Sequence, residues 1–101
     1  MKPLRLLVTY TAKPGQRDAF LRAVLQSGVP ETVRQEDGCL RYDYFLSAER
    51  PDEILLIEEW ASAEQQQTHL RQPHMQQNNY LHHQAVHLLS HHNQPAHTQP
   101  I

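Results

Sequence analysis

The sequence predicts an α+β fold in which helices cover one face of an antiparallel sheet. Three segments, at residues 4–11, 39–46 and 52–60, carry apolar residues in the pattern of β-strands. Helix signals follow the first and the third of these strands. Only a short turn separates the second strand from the third, which is typical of an antiparallel hairpin.

The first strand is rich in Leu, Val, Thr and Tyr and ends at residues 13–15, Lys-Pro-Gly. Apolar residues then recur at helical spacing over residues 16–27, and Gly28 is a stop signal. Pro30 can start a second short helix, "PETVRQED", because proline is tolerated in the first turn. We interpret this short helix as a solvent-exposed face.

The hairpin strands differ in their patterns. Residues 39–46, "CLRYDYFL", alternate, whereas "ILLI" at residues 54–57 is apolar on both faces, as expected of a strand covered on both sides. Ser62, with Gln65 three residues later, forms a capping-box motif that starts a helix reaching about Leu70.

Beyond Leu70, Pro73 starts a helix predicted to reach about His83, and "AVHLLS" at residues 85–90 is a plausible last strand. The order β-α-β-β-α-β matches a ferredoxin-like antiparallel sheet. We therefore predict one ferredoxin-fold domain over residues 1–90. Residues 91–101, rich in His and Gln, lack periodicity and are predicted to form a flexible tail.

Length and charge narrow the class of protein. The 101 residues suit one domain, and nine Lys and Arg against eleven Asp and Glu give a net charge of −2, so we expect no nucleic-acid partner. No apolar run approaches the roughly 20 residues of a membrane helix, so we expect no membrane partner. The single Cys39 fits a reducing, cytoplasmic location and is best interpreted as a small hydrophobic residue.

The apolar sheet predicts a homodimer. One copy is expected to leave residues 54–57 and Trp60 without cover, and exposed apolar patches of that size are rare on monomers. Packing sheet against sheet in a second copy would cover them.

Several polar and aromatic residues on the strands are candidates for a site. Glu58 and Trp60 share a strand face with Ile54 and Leu56, so Glu58 is either a pocket carboxylate with a raised pKa or a structural partner of an Arg or a backbone amide. Trp60 could shape an aromatic pocket or be plain core. Tyr42 and Tyr44 could hydrogen-bond a phenol or be ordinary half-buried strand residues.

His69 and His74 lie five residues apart around Pro73. Neutral imidazole suits proton transfer near neutral pH, while the alternative is an exposed or structurally satisfied histidine. The remaining histidines have no recognised ligand spacing, so we predict no metal site: they are His82, His83, His87, His91, His92 and His97.

Four motifs, "YTAKPGQRDAFL", "EDGCLRYDYF", "IEEWAS" and "HLRQPHM", together resemble the antibiotic biosynthesis monooxygenase domain family over about residues 5 to 90. The resemblance implies a dimeric α+β barrel. It also places the family's E-x-W motif on Glu58 and Trp60, and its histidine pair on His69 and His74. Members include cofactor-independent quinol monooxygenases, haem-degrading enzymes and an isomerase or degradation enzyme for phosphorylated autoinducer-2.

From this resemblance and the residues we expect a cofactor-independent monooxygenase that oxidises a small aromatic substrate, a quinol or polyphenol, with molecular oxygen. His69 and Glu58 would be catalytic, and Trp60, His74, Tyr44 and Tyr42 would bind substrate. With three glycines and no Gly-rich loop, no flavin or nicotinamide fingerprint exists. The alternatives are an isomerase of a small phosphorylated dicarbonyl, with Arg41 or Arg71 at the pocket mouth, and a non-catalytic ligand-binding dimer.

Overall fold

The computed structural model describes residues 2–75, 89–92 and 97–100. Strand β1 is Leu4–Ala12, followed by helices α1 (Arg17–Gln26) and α2 (Val29–Arg34). The hairpin strands are β2 (Cys39–Leu46) and β3 (Glu53–Trp60), then come helix α3 (Ala63–Leu70) and the short strands β4 (Leu89–His92) and β5 (His97–Pro100). The first three strands and the helices lie where the sequence predicts them, which confirms the α+β fold.

The strands form one antiparallel sheet in the order β2-β3-β1-β4, as in a ferredoxin-like fold. β3 lies at its centre, paired with β1 on one side and with β2 on the other. Because side chains alternate along a strand, the register puts Tyr42, Glu58 and Leu6 side by side on one face.

Helices cover that face and build the core against it. Phe20 and Val24 of α1 and Val29 and Val33 of α2 are buried. They pack with the apolar residues of the same sheet face in one cluster, which includes Ile54, Leu56, Trp60 and Tyr10.

One argument from the sequence is wrong. Trp60 was expected to lack cover within one chain, but it is fully buried under the helices, as are Ile54 and Leu56. Of the four residues in "ILLI", only Leu55 and Ile57 lie on the other face of the sheet, where they are half-buried. The outer face is therefore less apolar than "ILLI" suggests.

The C-terminal region differs in part from the prediction. Residues 73–75 are helical, as expected after Pro73, while the predicted continuation to His83 lies outside the described residues. Of the last strand predicted at residues 85–90, only residues 89 and 90 are described, and both lie in β4. β4 continues through His92, and β5 pairs with β1 opposite residues 4–7, so segments of the predicted tail have strand backbone. The flexibility of residues 91–101 stays a prediction.

Among the residues that the structure describes, no helix combines the length and the apolar character needed to cross a membrane.

Candidate active site

Helix α3 carries His69 on the face that packs against the sheet. The helix starts at Ser62, whose Oγ accepts a hydrogen bond from the Gln65 backbone N–H at 3.2 Å, as the capping motif predicts. Ser62, Gln66 and His69 are buried, and their spacing of four and three residues places them on one side of the helix. His69 is 1% exposed.

The sheet contributes the aromatic surface that meets His69. The Trp60 and His69 ring centroids lie 4.6 Å apart with 34° between the ring planes, and Tyr42 meets His69 edge-on at 6.0 Å. The Trp60 indole Nε1–H donates to Glu58 Oε1 at 3.1 Å. Trp60 and Tyr42 therefore contact the imidazole ring of His69. Glu58 is joined to this group through its hydrogen bond with Trp60.

Glu36 joins the two histidines. Its Oε2 lies 2.8 Å from His69 Nδ1 and 2.5 Å from His74 Nε2. The side chains of Glu36 and His74 are 11% and 17% exposed, so this hydrogen-bonded chain runs from the buried His69 towards the surface.

The turn between α2 and β2 brings Glu36 to α3. Gly38 has a φ of 86°, in the left-handed region that favours glycine, and a side chain there would collide with Gln65. The Gly38 carbonyl accepts from the Ala61 N–H at 2.8 Å, and Gln65 Nε2 donates to Asp37 Oδ2 at 3.1 Å. These contacts fix the turn beside the first turn of α3, one helical turn away from His69.

Sequence reasoning missed Glu36, because "PETVRQED" was interpreted as wholly solvated. That interpretation is wrong for Glu36, whose carboxylate turns inward to the histidines. No local signal distinguishes it from Glu31 or Asp37, since its partners lie 33 and 38 residues away in the sequence. Only the path of the chain in the folded protein identifies it.

Tyr42 and Tyr44 lie two residues apart on β2, and Tyr42 is the one that contacts His69 of α3. Their rings meet edge-on with centroids 6.1 Å apart. Burial raises the pKa of the Tyr44 phenol to about 12 and raises that of Tyr42 well above its ordinary value. Both phenols therefore stay protonated at neutral pH, and a side-chain hydrogen bond joins them to each other.

The carboxyl group of Glu58 has a raised pKa, chiefly because burial removes it from water. The Trp60 hydrogen bond and the nearby His69 oppose this shift, while the charge of Glu36 adds to it. Burial also raises the pKa of the Cys39 thiol, to about 11, so Cys39 is a poor nucleophile, in keeping with its interpretation as a small hydrophobic residue.

We predict that Glu58→Gln is increasingly stabilising, relative to the wild type, as the pH rises. The folded state holds the Glu58 proton more tightly than the unfolded state, whose carboxyl group titrates near 4.5. The stability due to the protonated carboxyl is complete below that pH and is lost as the pH rises through the folded pKa. Glutamine at position 58 does not ionise, so its contribution to the free energy of unfolding stays constant over this range. Urea unfolding of both proteins at several pH values from 4 to 8 measures the difference.

The exposed Glu64→Gln on α3 is the matched control and should differ little from the wild type at any pH in this range. A difference between Glu58→Gln and the wild type that shrinks with rising pH would show that Glu58 is ionised more easily in the folded protein than in the unfolded chain.

Arg41 does not lie at this cluster. Its guanidinium group contacts Asp43 at 3.2 Å and Glu59 at 3.8 Å, and it lies over the Phe45 ring. Those partners occupy the other face of the sheet. Arg71 follows α3 as an exposed C-cap residue and has no hydrogen bond to the cluster. The described residues therefore offer no support for a phosphate anchor from either arginine.

The structure brings the six predicted site residues into one connected cluster, with Glu36 as the added member. Ring contacts and the Trp60–Glu58 hydrogen bond join the strand residues to His69, and Glu36 joins His69 to His74. Such an arrangement can hold a neutral imidazole in one orientation and carry a proton away from it.

Solved structures share this fold. PA3566 from Pseudomonas aeruginosa is 24% identical, with a TM-score of 0.76 over 100% of this chain and 93% of its own. A candidate antibiotic biosynthesis monooxygenase from Chloroflexus aurantiacus is 24% identical, with a TM-score of 0.73 over 98% and 92%. A Bacteroides thetaiotaomicron protein of unknown function, described as a possible oxidoreductase, is 22% identical, with a TM-score of 0.76 over 99% and 98%.

A search of curated proteins gave no match. The sequence profile of the antibiotic biosynthesis monooxygenase family matches residues 3–79, which include the whole cluster. The chain therefore belongs to the antibiotic biosynthesis monooxygenase family.

Proposed function

We propose that this protein is a monooxygenase that inserts one oxygen atom into a small quinol without an organic cofactor, with His69 as the general base. The observation that carries the proposal is the Glu36–His69 hydrogen bond beside the Trp60 ring. When Nδ1–H donates to the Glu36 carboxylate, the lone pair of the neutral imidazole is on Nε2, which can accept a phenolic proton.

The first step is deprotonation of the quinol. The resulting phenolate is electron-rich and can transfer one electron to molecular oxygen, which gives a substrate radical and superoxide. These combine at a ring carbon that bears hydrogen, forming a C–O bond and a peroxide. Loss of that hydrogen as a proton and cleavage of the O–O bond then give a carbonyl and hydroxide, so that quinol and oxygen become a hydroxyquinone and water.

The neighbouring residues have defined parts in this scheme. Tyr44 and Tyr42 remain protonated and would donate hydrogen bonds to substrate oxygens. Trp60 offers a flat apolar surface for the ring. Glu58, whose pKa is raised, is the second proton carrier. It would exchange a proton with the peroxide intermediate.

A proton taken by His69 has a route to solvent. It would move from Nδ1 to Glu36 and on to His74, whose side chain is the most exposed of the three. In the structure His69 is closed off, so a substrate can enter only when the cluster opens. When the cluster closes again around the bound substrate, it would keep water away from the peroxide intermediate.

Oxygen uptake tests the proposal. A small hydroquinone should be consumed together with oxygen at a rate proportional to protein concentration, and anaerobic incubation should leave it unchanged. Isomerisation of a dicarbonyl substrate without oxygen uptake would favour the isomerase alternative. Saturable binding of the quinol without turnover would favour the ligand-binding dimer.

The proposal includes a homodimer joined through the outer face of the sheet. Leu55 and Ile57 lie at the centre of this outer face. Phe45 lies opposite Leu55 on β2 and is 39% exposed. Covering these residues would remove apolar area from water. We predict twice the chain mass in light scattering at micromolar concentration.

Leu55→Asp should convert the dimer to a monomer, since it puts a charge at the centre of the proposed interface. Leu25→Asp is the control: Leu25 is exposed on α1, away from that face, and the substitution should leave the mass unchanged. A wild-type protein of single chain mass would contradict the proposed dimer.

A further inference from the structure

Three metal-ligating groups converge at the outer end of the cluster. Glu36 Oε2, His69 Nδ1 and His74 Nε2 all lie within 4.8 Å of one another. They come from the α2–β2 turn, from α3 and from the helical turn after Pro73, three segments that are separate in sequence. Two imidazoles and one carboxylate are a common ligand set for divalent transition metal ions.

The spacing is that of a hydrogen-bonded, metal-free arrangement. Ligand atoms around a tetrahedral zinc ion are about 3.3 Å apart, given bond lengths of about 2.0 Å. Glu36 Oε2 is 2.8 Å and 2.5 Å from the two imidazole nitrogens, so the carboxylate oxygen must withdraw by less than about 1 Å to admit an ion. The two nitrogens lie within 4.8 Å of each other and must reach the same spacing of about 3.3 Å. Glu36 lies just beyond α2, and His74 lies in the short helical turn that begins at Pro73, so rotation about the side-chain bonds of both residues would supply these movements.

An ion has a polar route to this place. An open cleft of about 240 Å³ is lined by Glu36 with Asp37, Gln65, Thr68 and Gln72. Two of these residues are acidic, and none is apolar. The cleft would therefore attract a hydrated cation and exchange its waters for protein ligands.

We propose that Glu36, His69 and His74 bind one divalent transition metal ion, such as Zn²⁺ or Co²⁺, reached through this cleft. The three protein ligands leave one position of a tetrahedral ion for water or another small ligand. The proposal departs from the expectation of no metal, which considered only the other histidines of the chain.

Metal binding would oppose the base function of His69. The ion needs the lone pair of Nδ1, so the imidazole proton must move to Nε2, the nitrogen proposed to accept the phenolic proton. This consequence rests on the proposed function: a bound ion should inhibit quinol oxidation, and a chelator should restore it.

Cobalt titration of the full chain tests the site. Co²⁺ should give visible d–d absorption bands that saturate, and calorimetry should measure the stoichiometry. His74→Gln and Glu36→Gln should each weaken binding at this site by at least about tenfold, because each removes one of only three ligands. The matched control replaces the six other histidines by Gln and should still bind one ion per chain.

Unchanged cobalt affinity and spectra in both His74→Gln and Glu36→Gln would overturn the proposal, as would absence of binding to the wild-type chain. If the control variant loses its fold by circular dichroism, the comparison of His74→Gln with the wild type decides alone. The spectra do not depend on turnover. A protein that binds cobalt but, when freed of metal by a chelator, oxidises no quinol would contradict the proposed function and leave the metal site standing.

Discussion

Replacing His69 with Gln should lower kcat/KM for quinol oxidation by 10²- to 10⁴-fold, the usual effect of losing a general base. Glutamine is neutral, has a similar volume and can still hydrogen-bond Glu36, but it cannot accept a proton at neutral pH. Alanine is the poorer test, because His69 is 1% exposed and packs against Trp60, so truncation would leave a cavity. Initial rates of oxygen uptake measure the effect.

Gln67→Ala provides the control on the same helix. Gln67 is exposed and lies outside the cluster, so the Gln67→Ala variant should oxidise quinol at the same rate as the wild type. Circular dichroism and urea unfolding should show that His69→Gln remains folded. Equal rates for His69→Gln and the wild type would exclude His69 as the base and leave Glu58 as the remaining candidate.

Replacing Trp60 with Ala should reduce the free energy of unfolding by about 3–5 kcal/mol, the range for removing a large buried aromatic side chain. Trp60 is 0% exposed and packs at the junction of the sheet and His69. Small domains have a total stability of about 5–15 kcal/mol, so the variant should be close to unfolding. Urea unfolding at constant pH measures the change.

Trp60→Phe separates packing from hydrogen bonding. It keeps most of the apolar volume but removes the indole N–H that donates to Glu58, so we expect a smaller loss than for Ala. A loss below about 1 kcal/mol for Trp60→Ala would be inconsistent with a side chain closed within the core.

Periodicity predicted the strands well, because each alternates or concentrates apolar residues between clear turn signals. The assignment of Glu58 and Trp60 to one face follows directly from strand geometry. Ser62 fixed the start of α3 for the same reason: its side chain satisfies a backbone N–H that the helix itself cannot. Local rules were enough for these elements. The register that pairs Tyr42 with Glu58 was not predicted, and it includes a shift between Cys39 and Arg41.

The errors concern contacts between distant parts of the chain. Trp60 was expected to need a second copy for cover, but α1, α2 and α3 pack over its face of the sheet. Glu36 was placed in solvent because its own segment is polar. What brings it inward is the turn at Gly38, together with Gln65 on another helix. Such contacts depend on how helices pack on the sheet, which hydrophobic periodicity does not encode.

The proposed chemistry is tested most directly by following the oxygen atoms. When a hydroquinone is oxidised under ¹⁸O₂, mass spectrometry should find one labelled atom in the quinone product and the other in water. Wild-type protein should give this result, and His69→Gln should form the labelled quinone at a rate lower by about 10²-fold or more. Unlabelled quinone with both labelled atoms in hydrogen peroxide would contradict monooxygenation and show simple oxidation of the quinol.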